Sequence, residues 1–301
     1  MTATMPTQAV APALNAGNRS ALIALVCAAA VWGWSYIATV WILPEMSTPS
    51  LIAGRFLLAG LIMLLIRPKA VLTLGRRHTL AGLGLACCLT AGALLQTQGQ
   101  LYIEAAQSGF LCSLFVVLTP LVARLLFKTA IAPAVWGAAL TATAGLAVIS
   151  FNGVSLGLGT WLTLGGALGY ALQMVLLAQY AERDKVYGLA ALQLLGTGAL
   201  GACWAVPTGF DLPDTGAGWG WLIYLTLMAT LGMYAVQTWA QARVSATSAA
   251  VVMASEPLFV ALFSVLVGSA LASRTVVGGL LILAAMYLVI STGRKARPVV
   301  G

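Results

Sequence analysis

Glu256 and Pro257 stand near the middle of residues 245–268, SATSAAVVMASEPLFVALFSVLVG, an apolar run of bilayer-spanning length. A carboxyl group at that depth is costly and turns toward a bundle interior or a wet cavity. There it can attract an ammonium group or exchange a proton; the structural alternative is a permanently protonated carboxyl bonded to backbone carbonyls. Pro257 supplies such carbonyls. It cannot donate to the carbonyl of Met253 and its ring crowds that carbonyl, so the helix is expected to kink or open beside the carboxyl. Irregular backbone of this kind persists at membrane depth only where protein or cavity water covers it.

Glutamines and aromatics offer complementary chemistry. Gln96 and Gln100 are one helical turn apart, as are Thr230, Tyr234 and Thr238, with Gln237 and Gln241 alongside. Such stripes belong in an interior rather than against lipid. Their amides can receive the polar ends of a zwitterion without a fixed charge, or act as interhelical glue. Trp32, Trp34, Tyr102, Phe115, Tyr170, Tyr234 and Trp239 include candidates for a surface on which an apolar or cationic substrate stacks; core packing and interface anchoring are the other roles of membrane aromatics. Trp34, beside Gly33, and Trp239, close to Gln237, are favoured. The candidate substrate-binding residues are therefore Trp34, Gln96, Gln100, Tyr234, Gln237, Trp239 and Glu256. Arg55 begins close to a helix start and is expected to snorkel to the outer surface, while Arg124 and Lys128 anchor a cytoplasmic helix end. Gly165 and Gly169 have small-xxx-small spacing, which permits close helix contact.

The elements that position these groups are membrane helices. Of 301 residues, 61% are hydrophobic and 7% charged, with mean hydropathy +0.98, against roughly 25% charged in soluble domains. The net charge of +8 arises from bases in short loops, where it reports orientation rather than nucleic-acid binding. Cys27, Cys87, Cys88, Cys112 and Cys203 lie in apolar stretches without metal-type spacing, and read as small core hydrophobes. Apolar runs of about 17 to 25 residues predict ten helices over 21–43, 50–66, 80–103, 107–127, 132–151, 160–181, 188–207, 219–241, 246–268 and 274–292. Residues 1–20, rich in Ala, Thr and Pro, read as a cytoplasmic tail with no clear signal peptide, and 294–301 as a second one.

The fourth helix repeats the construction of the ninth. Thr119 and Pro120 hold the places of Glu256 and Pro257 at an offset of 137 residues (120 to 257), at which Ser108 meets Ser245, Gln100 meets Gln237 and Ala105 meets Ala242. The chain reads as duplicated, with repeats over 21–152 and 153–293. Five helices per copy is an odd number, so the second copy enters the membrane upside down. The expected fold is all-α, ten transmembrane helices in two inverted five-helix repeats. Inverted repeats place a substrate site near the midplane, beside interrupted helices, and Pro120 and Pro257 are the candidate hinges. Both termini in the cytoplasm put twelve of the Lys and Arg residues inside, from Arg19 and Arg67 to Arg297, and only Arg274 outside.

Enzyme chemistry finds no support. Gly153-Val154-Ser155-Leu156-Gly157 matches a Gly-x-Ser-x-Gly elbow, but that motif needs a strand-turn-helix setting and a histidine, and the single histidine, His78, falls on the predicted opposite side. No HExxH, Walker loop or metal cluster occurs, so no cofactor is expected.

Trp32-Gly33-Trp34-Ser35, Gly54-Arg55-Phe56, Ser255-Glu256-Pro257 and Gly278-Gly279, in that order across both halves, resemble the ten-helix drug/metabolite transporter superfamily, in its branch of bacterial metabolite exporters. The arrangement of tryptophans and glutamines is most similar to aromatic amino-acid exporters. Two departures stand out: Lys128-Thr129 and Gly268-Ser269 replace the Gly-Glu that many relatives carry, and Thr119 leaves Glu256 without a symmetric carboxylate. The resemblance implies a secondary exporter of amino acids and related small metabolites, including aromatic ones, working by alternating access in a bacterial inner membrane. Its partners are a small-molecule substrate and the lipid bilayer. Proton-coupled efflux of lipophilic cations is the alternative, and a non-transporting sensor or scaffold a minor one. Phosphorylated substrates are disfavoured unless Arg55 reaches inward.

Overall fold

The computed structural model describes residues 16–128, 133–150, 157–244, 249, 252–253 and 255–295. Its regular elements are all helical: α1 (Ala16–Ile42), α2 (Thr48–Ile66), α3 (Pro68–Leu72), α4 (Arg76–Gly99), α5 (Ala105–Cys112), α6 (Phe115–Phe127), α7 (Pro133–Ser150), α8 (Leu158–Tyr180), α9 (Val186–Thr208), α10 (Gly216–Ile223), a π-helical segment (Tyr224–Gly232), α11 (Met233–Gln241), α12 (Glu256–Leu266) and α13 (Ser273–Lys295). Among the described residues, seven stretches are long and apolar enough to cross a membrane, including Ala105–Phe127, which joins α5 to α6, and Gly216–Gln241, which joins α10 to α11. Among the described residues the fold is that of a multi-pass all-helical membrane protein. Tails 1–15 and 296–301, the expected repeat boundary at 152 and 153, Thr129, Ser245, four of the five elbow residues and much of the first half of the expected ninth helix lie outside the described residues.

One interruption adjoins its proline and the other does not: the second lies at Ser255, two residues before Pro257, while the first lies six residues ahead of Pro120. In the fourth span the break is at Ser113–Leu114, where Val116 and Val117 donate to carbonyls only three residues back, and Pro120 lies inside α6 beyond it. Thr119 Oγ1 turns back onto the Phe115 carbonyl at 2.7 Å. In the second, α12 begins at Glu256 after a turn at Ser255, with Pro257 in its first turn. A proline there loses no hydrogen bond, and an acid favours that end of the helix dipole. The carboxyl therefore sits at a helix start, not beside a kink within a continuous helix. The expected eighth helix carries nine π-helical residues, Tyr224–Gly232, a local widening that no propensity pattern announces.

Glycines set the closest helix crossings. A Cβ on Gly33 would lie 2.6 Å from Phe259 Cβ, so α1 and α12 meet with no side chain between them, and one on Gly169 would lie 2.5 Å from the backbone N of Gly92, where α8 crosses α4. Gly165 meets only the Leu95 side chain; Gly166 and Gly169 form the contact face. Among the cysteines, all free, Cys112 alone is fully buried and Cys27, Cys87 and Cys203 are exposed, which corrects the reading of all five as core residues. Their sulfhydryls suit a lipid-facing surface because a thiol behaves as a small hydrophobe.

Two polar clusters tie the bundle ends. At one, Glu45 accepts from the backbone N–H groups of Asp214 and Thr215, both 3.0 Å, and from Thr215 Oγ1 at 2.8 Å, while Asp211 accepts from Ser47 N–H at 3.0 Å. Each carboxylate thus binds the loop that carries the other. At the opposite end, Glu182 faces Arg77 at 3.8 Å and His78 at 3.4 Å, joining the end of α8 to the start of α4.

Candidate functional site

A cavity of about 60 Å³ opens in the centre of the bundle. Its walls come from α1 (Trp32, Ser35, Tyr36), α2 (Arg55, Phe56), α4 (Gln96), α5 and α6 (Cys112, Phe115), α8 (Tyr170, Gln173), α11 (Tyr234, Gln237) and α12 (Glu256). Four of the expected residues meet here: Gln96, Tyr234, Gln237 and Glu256. Gln100 is buried just behind them, donating to the Tyr36 carbonyl at 3.1 Å and accepting from Gln96 at 3.1 Å.

Trp34 and Trp239 lie elsewhere. Trp34 packs edge-on against Trp41 and Phe263, at 5.9 and 5.3 Å between ring centroids. Trp239 lies under the Arg243 guanidinium at 4.4 Å. Each is two residues from a lining residue, Trp32 or Gln237, and a two-residue step on a helix turns a side chain to the other side. The aromatic wall is instead made by Trp32, Tyr234 and Phe56, with Tyr234 5.3 Å from Trp32 and 5.8 Å from Phe56. Trp32 is held by its Nε1–H, which donates to the Ala229 carbonyl in the π segment at 2.8 Å.

Arg55 overturns the expectation that it snorkels outward. It is 8% exposed, its Nε donates to Thr230 Oγ1 at 2.8 Å, and its guanidinium lies 5.1 Å from the Phe56 ring centroid. Phe56 and the π segment hold it on the cavity wall. Glu256 is likewise 8% exposed, with the Tyr36 hydroxyl beside it. Among the described residues no acid forms an ion pair with Arg55 and no base with Glu256. One cavity therefore carries a cation and a carboxyl, each without a protein counter-ion.

The glutamines divide into two kinds. Gln96 is engaged: Tyr170 Oη donates to its Oε1 at 2.9 Å and its Nε2 donates to Gln100. Gln173, Gln193 and Thr238 form a second buried chain, at 3.1 and 3.2 Å, that joins α8, α9 and α11. Gln237 differs, since its Oε1 is buried with no hydrogen-bond partner. A buried polar atom left open costs energy unless something arrives to bond it. Arg55 and Phe56 were absent from the expected binding set, with the Gly54-Arg55-Phe56 motif the available signal, while Trp32 and Tyr170 stood among the candidate stacking aromatics without being favoured. No group of three or more His, Cys, Asp or Glu residues is placed to hold a metal among the described residues.

The pattern of the EamA-like transporter family matches this chain twice, over residues 19–151 and 157–291. The chain belongs to that family. It is a membrane transporter and not an enzyme, as its relatives also indicate. An uncharacterized transporter of Archaeoglobus fulgidus is 28% identical over 271 residues, covering 89% of this chain and 84% of the other. A solved structure described only as a crystal structure of a protein superposes with a TM-score of 0.69 at 18% identity, covering 92% of this chain and 98% of that one; it speaks to the fold alone. A small-molecule substrate and the lipid bilayer are the partners that follow from this family and its membrane helices.

Proposed function

We propose that this EamA-like transporter is a secondary exporter of amino acids and related small metabolites, aromatic ones included, working by alternating access. The observation that carries the reading is the central cavity, where an aromatic wall of Trp32, Phe56 and Tyr234 meets Gln237 and Glu256. An aromatic side chain stacks on such a wall and an ammonium group is met by carboxyl and carbonyl oxygens.

Two inverted five-helix repeats, ten helices in all, over 21–152 and 153–293, provide the rocking halves. The twofold family match supports the duplication, and the breaks at Ser113–Leu114, ahead of Pro120, and at Ser255, ahead of Pro257, supply the flexible points. The membrane is a bacterial inner membrane with both termini cytoplasmic. The carboxylate-tied loops of Glu45 and Asp211 then lie outside, and the Arg77–Glu182 end inside.

The test is uptake of labelled phenylalanine into proteoliposomes of the purified protein, with and without a pH gradient, against Glu256→Gln. Saturable uptake of phenylalanine by the wild type supports the reading. Accumulation that needs the gradient and is lost in Glu256→Gln identifies Glu256 as the proton carrier. Extrusion of tetraphenylphosphonium in place of phenylalanine overturns the reading in favour of lipophilic-cation efflux, which the Arg55 charge in the same cavity opposes.

A further inference from the structure

The central cavity is polar at more than one point, and its charges are not equivalent. Glu256 can take up a proton and become neutral. Arg55 cannot, because a guanidinium stays protonated in any protein setting. A buried cation with no counter-ion is strongly unfavourable, so the cavity favours an anion at Arg55. Thr230 takes the Nε–H at 2.8 Å, and among the described residues no acid pairs with the guanidinium of this cavity-lining arginine. A fork of parallel N–H donors matches the two oxygens of a carboxylate. The glutamines do not compete for that role: Gln96 and Gln100 are bonded to each other and to Tyr170 and the Tyr36 carbonyl. Gln237 Oε1, the open polar atom of the wall, is an acceptor.

We propose that Arg55 is the carboxylate-binding residue of this transporter, and that the cavity selects organic carboxylates, with Gln237 and Glu256 receiving an ammonium group when the substrate carries one. The proposal rests on the transporter reading of the same site and deepens it. A substrate is thereby oriented, its carboxylate on α2 and its amine toward α11 and α12. The lipophilic cations of the alternative reading meet the wrong charge at Arg55.

The experiment compares three probes on the full-length protein in lipid nanodiscs: phenylalanine, 3-phenylpropionate, which lacks the ammonium group, and phenylalaninamide, which lacks the carboxylate. In the wild type, phenylalanine should bind roughly 10- to 100-fold more tightly than the amide, the range for hydrogen bonds to a charged group. Arg55→Gln should erase that preference, so that phenylalanine and its amide bind alike, and Arg55→Lys should restore part of it as a point charge without the fork. A preference for phenylalanine that survives Arg55→Gln overturns the proposal. If Arg55→Gln does not fold, the wild type decides: equal affinity for phenylalanine and the amide overturns the proposal as well. The two readings fail separately. Binding of phenylpropionate without phenylalanine upholds the carboxylate site and removes the amino-acid assignment, whereas phenylalanine bound with no dependence on Arg55 does the reverse. Binding of tetraphenylphosphonium alone removes both.

Discussion

Arg55 Nε donates a 2.8 Å hydrogen bond to Thr230 Oγ1, joining α2 to the π segment across 175 residues of sequence. Thr230 in turn donates to the Leu225 carbonyl, five residues back, at 2.7 Å. The π geometry thus opens the spacing at which Thr230 can serve as an acceptor for the guanidinium. Two features the sequence did not announce, the inward arginine and the widened helix, are one construction.

Thr230→Val keeps shape but removes the acceptor. The variant should lose roughly 1.5 to 3 kcal/mol of stability, the usual cost of a lost hydrogen bond to a charged group, and raise the KM for phenylalanine more than it lowers kcat, because Arg55 is no longer aimed. Thermal unfolding and proteoliposome kinetics read the two effects. Unchanged KM would show that Arg55 is positioned by Phe56 alone.

Tryptophan substitutions should separate wall from scaffold. Trp32→Phe gives up the bond to the Ala229 carbonyl and part of the stacking face, and should weaken phenylalanine binding several-fold. Trp34→Phe and Trp239→Phe should leave affinity within about twofold, because neither side chain lines the cavity, a twofold change being about 0.4 kcal/mol. Equal losses at all three positions would contradict the placement of the wall.

Gly33→Ala should be poorly tolerated. Its Cβ would approach Phe259 Cβ to 2.6 Å and Val260 N to 3.1 Å, so α1 and α12 must separate. Overpacking of that kind costs about 1 to 3 kcal/mol, and here it also displaces Glu256, three residues before Phe259. Loss of melting temperature together with transport is the expected outcome; Gly75→Ala, where nothing lies within 4 Å, is the matched control.

The loop clusters predict a dependence on pH. Hydrogen bonds from the Thr215 hydroxyl, then from the Thr215 and Asp214 backbone, hold the Glu45 carboxyl below the usual carboxylate range, and those from Ser47 do the same for Asp211. A carboxyl whose pKa is lower folded than unfolded contributes stability that is fully present above the unfolded value, about 4, and is lost as pH falls through the lowered folded one. The double variant Glu45→Gln, Asp211→Asn should therefore melt lower than wild type at pH 7, with the gap closing as the pH drops below about 4. A gap independent of pH would assign the effect to packing.

The amino-acid sequence by itself determined the membrane class, the positions of most spans, a break in the fourth span, though not its place, and the interior position of Glu256. These follow from composition, run length and the chemistry of proline, all of which act locally along the chain. It also picked out Gln96, Tyr234 and Gln237, because polar side chains in a lipid-facing span must turn inward wherever the helix goes. Only the tertiary structure decided which way Arg55 points, that Trp32 rather than Trp34 lines the cavity, and that Gln96 is already bonded while Gln237 is open. Those outcomes depend on the rotation of each helix about its axis and on which neighbour reaches it. Rotation is set by crossings such as Gly33 against Phe259 and Gly169 against Gly92, contacts between residues far apart in sequence that no local pattern encodes.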